Sequence, residues 1–294
     1  MTDFAVLTPS YAPDAGLFEA LHRSVLDHTD AVHHVVVPPV DRGLFARYEG
    51  GRCRIWTYPE LLPKRYLATP KAGVWLNARR PWPPVRGWVL QQAVKLAAAS
   101  RFDARAVLMM DSDVVLIRHT TAESFAVNGR IGLFRAENAV HAGMPRHVRW
   151  HAVARELLGL PPAPDLPLPD YVSPFNVWEP AVVRLLQDRV QEVTGKSWLD
   201  LFTGRLHISE FILYGVFADE VLGGTIPRVP SDSLYCHTYW DNTPLDEAGA
   251  REFAGRLAPD ALAVMISAKS GTSPENRHVA LAACEAAVSP ERQD

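Results

Sequence analysis

The chain has 294 residues, 48% of them apolar and 21% charged, with a formal net charge of −3. A chain of that length and balance buries a substantial core without needing disulfides or structural metals. It contains no long Lys/Arg run, which excludes the usual electrostatic footprint of a nucleic-acid binder.

The three cysteines, Cys53, Cys236 and Cys284, are far apart and form no CxxC pair. They suit a reducing cytosol rather than a disulfide framework, and no zinc site built on paired thiolates is expected. The opening MTDFAVLTPSY has neither a basic segment nor a long apolar one, and no apolar run reaches the roughly 18 residues that span a bilayer. The expectation is a cytoplasmic protein with no membrane span.

In chain order, Phe4–Leu7 reads as a buried strand stopped by Thr8-Pro9-Ser10, and Asp14 as the N-cap of an amphipathic helix carrying Leu17, Leu21, Val25 and Leu26. A second strand is predicted over Val32–Val37, a short helix over Asp41–Tyr48 and a third strand over Cys53–Thr57. Strands alternating with helices make parallel βαβ units with right-handed crossovers. Pro59–Val85, rich in Pro, Trp and Arg, shows no period and reads as a binding loop or lid. Helical spacing returns at Gly87–Ala99, and Arg105–Met110 is the strongest strand signal. Further strands are predicted at Ile131–Phe134, Leu234–His237 and Ala261–Ile266. Helices are predicted up to Leu158 and over Pro180–Val193, Ile208–Phe217 and Ala248–Leu257, with one more at the end.

The strand at Arg105–Met110 runs directly into Asp111-Ser112-Asp113. In open α/β sheets, ligands bind outside the carboxyl ends of the strands. Side chains two apart on extended chain share a face, so both carboxylates can address one ion. Hard cations such as Mg²⁺ or Mn²⁺ take oxygen ligands and share them with substrate phosphates. Against this stands the bland alternative that the two acids merely cap a turn.

An apolar strand ending in D-x-D after three βα-like units resembles the glycosyltransferases of the GT-A fold. TPSYAPD after the first strand resembles the donor-nucleotide loop of many of them. The GW-x-x-QQ-x-x-KL helix (Gly87, Trp88, Gln91, Gln92, Lys95, Leu96) is similar to that of a bacterial glycosyltransferase family. The resemblance implies an α/β, Rossmann-type single domain over 1–294 with a mixed central sheet flanked by helices. Residues 1–135 form its nucleotide-sugar-binding half, and 136–294 its acceptor half with a C-terminal metal and phosphate loop. It implies a nucleotide-sugar donor, with UDP favoured and GDP next, a small-molecule or glycan acceptor, and Mn²⁺ or Mg²⁺ held by Asp111 and Asp113.

The resemblance also implies a late histidine as a third metal ligand, for which His237, in LYCHTYWD, is the candidate, or else it is an ordinary loop histidine. The same resemblance makes Glu210, roughly a hundred residues after the D-x-D, the candidate general base of an inverting displacement; otherwise it is a helix-start glutamate favoured by the macrodipole. Thr8, Ser10, Tyr11 and Asp14 fit a nucleoside loop, with Tyr11 to stack on a base. Arg79 can clamp diphosphate. Gln92 and Lys95 can face the donor from their helix, although Lys95 can also snorkel. Ser112 lies between the two acids, and Lys269 sits in a late polar loop (SAKSGTSPE) similar to one that closes over donor phosphates. Trp178 is expected in the core.

Three other readings use the same acids. A haloacid-dehalogenase-like phosphatase formally matches Asp111-Ser112-Asp113-Val114-Val115, although that motif normally ends the first strand of its domain. A nucleotidyltransferase needs a Gly-rich basic loop that Thr8–Asp14 lacks. A non-catalytic nucleotide-sugar-binding module keeps the pocket without the chemistry.

Overall fold

The computed structural model describes residues 2–69, 73–229 and 235–288. In chain order its elements begin β1 (Thr2–Pro9), α1 (Ala15–His28), β2 (Val32–Val37), α2 (Arg42–Phe45), β3 (Cys53–Thr57) and α3 (Tyr58–Leu61). Next come β4 (Tyr66–Ala68), β5 (Val74–Asn77), β6 (Arg80–Arg86), α4 (Gly87–Ala99), β7 (Ala104–Met110), β8 (Val114–Leu116), β9 (Ala126–Val127) and β10 (Arg130–Ile131). Then follow β11 (Ala136–Val140), α5 (Pro145–Leu158), β12 (Leu168–Asp170), β13 (Phe175–Trp178), α6 (Pro180–Thr194), α7 (Trp198–Thr203) and α8 (Glu210–Val216). The last elements are β14 (Cys236–Tyr239), α9 (Glu247–Gly255), β15 (Ala263–Ile266) and α10 (Pro274–Val288).

The fold is mixed α/β, with a central sheet flanked by helices. That sheet runs in the order β13-β7-β1-β2-β3; β7, β1, β2 and β3 are parallel and β13 is antiparallel at the edge. Strand alternation sends side chains to two separate cores. Ala5, Leu7, Val36, Val107 and Met109 pack with α4, α6 and α8 on one face. Val6, Val35, Val37, Leu108 and Met110 pack on the other, against Phe18, Leu21 and Val25 of α1 and against a second sheet. Burial on both faces is why β1 and β7 read as unbroken apolar runs. The second sheet has the order β14-β15-β8, and β8 starts immediately after Asp113. It brings the C-terminal strands against the D-x-D.

Pro59–Val85 departs from expectation. Rather than an irregular loop, it contains α3 and the antiparallel sheet β4-β5-β6. Tyr66, Trp75 and Val85 are buried while Arg80–Pro84 are largely exposed, so only scattered positions carry an apolar signal. Pro83 and Pro84 are accommodated because β6 is an edge strand. The strand predicted over Ile131–Phe134 is reduced to Arg130–Ile131 of a two-stranded ribbon. Leu234 lies outside the described residues, and β14 begins at Cys236. Trp178 is fully buried, as expected. Among the described residues, no helix is long and apolar enough to cross a membrane.

Candidate active site

β7 ends its buried run at Met110 and delivers Asp111 beyond the carboxyl edge of the sheet. The Asp111 N–H donates to the Pro174 carbonyl (3.0 Å), and the Val114 N–H donates to the Asp111 carbonyl (3.1 Å). This closes a turn that holds the D-x-D. Ser112, at its centre, is buried and donates to Ser10 Oγ at 3.0 Å, tying the turn to the loop after β1. Asp113 Oδ2 accepts from the Ala268 N–H at 2.8 Å, which ties the same turn to the loop after β15.

Charge is concentrated there. The Asp113 carboxyl is pushed up to about 6, by burial and then by the charge of Asp111. Asp14, just before α1, is also raised to about 6, by burial and then by Asp113 and Asp111. Asp14 occupies the N-cap position of α1 but makes no side-chain cap, so the capping role read from sequence is not realised. Three carboxylates gathered this closely, two of them raised by burial and by the charge of their neighbours, make a set of hard oxygen donors suited to a divalent cation.

Behind them lies a buried cation. Lys95 Nζ of α4 sits 2.9 Å from Glu210 Oε1 and 3.5 Å from Asp111 Oδ1, and over the Phe211 ring at 4.6 Å. Burial opposes its charge, yet Glu210 and Asp111 hold its pKa above the ordinary lysine value. Gln92, one turn earlier, accepts from the Glu210 N–H at 3.1 Å and donates to the Trp88 carbonyl. The helix positions 92 and 95 thus share a face turned to the start of α8. Only 4% of the Glu210 side chain is exposed, against 43% for Asp111.

The structure therefore brings together Ser10, Asp14, Gln92, Lys95, Asp111, Ser112, Asp113 and Glu210, and sets the exposed Lys269 next to Ala268 on the Asp113 loop. Tyr11 stands 41% exposed beside Asp14, whose charge adds to burial in raising the phenol. Other expected residues lie elsewhere. Thr8 is buried, and its hydroxyl meets His33 Nε2 at 3.0 Å, because it falls on the α1 side of β1. Arg79, in the β5–β6 turn, is mostly exposed and has Asp200 within 3.9 Å. His237 Nε2–H donates to the Phe253 carbonyl (2.9 Å), and the ring lies against Phe253 at 4.2 Å. Strand alternation is the reason: on β14 it is Cys236 that faces the acids, and burial together with Asp113 and Asp111 drives its thiol pKa well up.

Two contributors escaped the sequence reading. Cys236 gave no signal beyond its proximity to His237. Arg277 of α10 donates to the carbonyls of Ile266 (2.5 Å), Ser267 (2.7 Å) and Thr272 (3.2 Å), so it braces the loop that meets Asp113. Nothing local in sequence announces a side chain that supports a loop from another element. Cys236 also lines a cavity of about 140 Å³ whose wall includes Ser173, Asn176, Thr238 and Trp240. Trp240 is 58% exposed and forms part of its rim.

The model of DUF6492, a family of unknown function, matches residues 6–249, from β1 into α9. The chain belongs to DUF6492. No curated protein matches it. Among solved structures, this DUF6492 chain is similar to the galactosyltransferase LgtC in complex with donor and acceptor sugar analogues, at 12% identity, 98% coverage of both chains and a TM-score of 0.47. An active-site mutant of LgtC gives 13% identity, 95% coverage of both chains and a TM-score of 0.48. Apo mouse xyloside xylosyltransferase 1 gives 14% identity over 82% of this chain and 88% of its own, with a TM-score of 0.45. At such identities and scores these are similarities of chain course and carry nothing about chemistry.

Proposed function

We propose that this DUF6492 protein is a glycosyltransferase that uses a nucleotide-sugar donor, UDP-linked first and GDP-linked next, and binds Mn²⁺ or Mg²⁺ through Asp111 and Asp113. The observation that carries the reading is the convergence of Asp111, Asp113 and Asp14 at the carboxyl edge of the central sheet, between the loops after β1 and β15. A divalent cation bound there would supply positive charge against the diphosphate that leaves with the nucleoside. Residues 1–135 contribute the donor side, with Tyr11 at the rim to stack on the base. Residues 136–294 contribute the acceptor side, around the cavity between Asn176 and Trp240.

Lys95 neutralises the inner oxygen of Asp111 and so fixes that carboxylate's orientation, while Ser112 and Ala268 fix the turn itself. Glu210 is assigned to holding Lys95 rather than to taking the acceptor's proton. A general base must come within about 3 Å of the hydroxyl, or one water away, and this carboxylate is shielded and ion-paired. The phosphatase alternative fits less well. Its motif would end the first strand, whereas here β1 ends at Pro9 and the acids follow β7.

The test is thermal unfolding of the wild type and of Asp113→Asn with UDP- and GDP-sugars, each with and without Mn²⁺, followed by release of free sugar and nucleoside diphosphate. A cation-dependent rise with one nucleotide, absent in Asp113→Asn, is the expected result. No rise with any nucleotide at saturation, or phosphate release from phosphomonoesters instead, would overturn the reading.

A further inference from the structure

A second cluster of metal-competent side chains lies on the opposite side of β1 from Lys95, inside the core between α1 and the β2–β3 edge. His22 comes from α1, His33 from β2 and Cys53 from β3, and one ligand atom from each lies within 4.8 Å of the others. His33 and Cys53 are register partners on adjacent parallel strands, so their side chains stand side by side on one face. His22 descends onto that face from the helix. All three are buried, at 8%, 0% and 3% exposure. We infer that His22, His33 and Cys53 form a binding site for one thiophilic transition-metal ion, Zn²⁺ or Cu⁺, independent of the carboxylate site.

Four observations support the assignment. The Nδ1 atoms of the two imidazoles face each other at 2.9 Å, which puts two nitrogen donors on a single point. His33 Nε2 lies 3.0 Å from Thr8 Oγ1. With Nε2–H donating there, Nδ1 keeps its lone pair, and a hydrogen bond from the far ring nitrogen is the support a ligating histidine normally has. Phe18 lies stacked beside both rings, at 5.7 and 5.6 Å, and shields the site from water. Apart from Thr8 and the nearby Arg52, the surrounding core is apolar, where three aliphatic side chains would pack without any need for polar partners.

Two nitrogens and one sulfur select for soft, thiophilic cations over Mg²⁺ or Mn²⁺. Nitrogens bound to one such ion at about 2.05 Å stand roughly 3.3 Å apart, so the His22–His33 pair has to open by less than half an ångström. Binding releases the Cys53 thiol proton to solvent. It also replaces the imidazole–imidazole hydrogen bond with two metal–nitrogen bonds, the displaced Nδ1 proton moving to Nε2. The ion would staple α1, β2 and β3 together beneath the loop that carries Ser10, Tyr11 and Asp14. Sequence spacing gave no hint of it, because the ligands come from three elements and only one is a cysteine.

The test uses the full chain and its Asp113→Asn variant, which takes one carboxylate out of the Asp14, Asp111 and Asp113 group. Purified protein is analysed for bound metal, then stripped and titrated with Co²⁺, Zn²⁺ and, under reductant, Cu⁺. The expected result is one equivalent of Zn²⁺ or Cu⁺ retained in both proteins, a thiolate-to-Co²⁺ charge-transfer band for a Zn²⁺ site, and loss of metal and band in Cys53→Ser. A raised melting temperature on adding the ion, absent in Cys53→Ser, is expected alongside. Zn²⁺ and Co²⁺ failing while Cu⁺ binds would assign the site to copper. If none of the three ions binds the Asp113→Asn protein, or if Cys53→Ser binds as well as its parent, the inference is wrong and the two histidines are a hydrogen-bonded core pair.

Discussion

Replacing Lys95 by Met tests the charge balance on which the site is built. The methionine fills a similar volume on α4 but leaves Glu210, whose side chain is 4% exposed, without the ammonium 2.9 Å away. Its other polar neighbour, Gln92, engages the backbone N–H of residue 210 and not the carboxylate. Removing one partner of a buried ion pair costs about 3–5 kcal/mol. For a chain of this size that is about 5–8 °C in melting temperature. Glu210→Gln is the milder change, because Lys95 retains Asp111 at 3.5 Å on the solvent side; about 2 kcal/mol is expected. The double variant Lys95→Met with Glu210→Gln removes both charges and should cost less than Lys95→Met alone. This gives a coupling energy of about 2–3 kcal/mol. Urea unfolding with a constant slope would measure all three. If Lys95→Met costs under about 1 kcal/mol, or if the two single costs simply add, Glu210 is not held by Lys95 and the positioning role assigned to the pair is wrong.

Asp113→Asn should stabilise the cation-free protein at pH 8. A carboxyl raised to about 6 contributes fully only below the unfolded value of 3.8 and loses that contribution as pH rises through 6. The neutral amide avoids this, by up to about 2 kcal/mol after allowance for solvent screening, and can still accept from Ala268; a variant less stable than wild type in chemical denaturation would contradict it. His151 is buried, and burial lowers its pKa from 6.5, although its Nε2–H donates to the Pro169 carbonyl. Its contribution is therefore present above about pH 6.5 and shrinks on acidification. In melting curves between pH 7 and 5, His151→Gln should show a shallower loss than wild type, and equal slopes would remove His151 as the cause. Gly215→Ala should destabilise by about 3 kcal/mol or more, because the added carbon would lie 2.1 Å from Cγ of the buried Tyr171; a fall in melting temperature of less than 2 °C would show that Tyr171 can step aside.

Several parts of this protein were legible in its sequence because each is decided locally. The βα alternation, the buried runs at β1 and β7 and the position of Asp111 and Asp113 at a strand's carboxyl end follow from side-chain period and from turn residues next to one another in the chain. Gln92 and Lys95 were also legible as candidates, since polar residues of that kind stand out on an otherwise apolar helix, whereas Glu210 was one only through the family resemblance.

Their roles were not legible. That Lys95 lies between Glu210 and Asp111 depends on α4 and α8 packing on the same face of the sheet, 115 residues apart in sequence. His237 sits next to the residue that faces the acids, and the one-residue offset of strand β14 decides which of the two it is. The sheet β4-β5-β6 stayed hidden because its outer residues are exposed and its prolines belong to an edge. The histidine and cysteine ligands at positions 22, 33 and 53 were invisible for the same reason. Spacing along the chain reports only neighbours within an element, whereas a site assembled from a helix and two strands exists only once register and packing have brought them together.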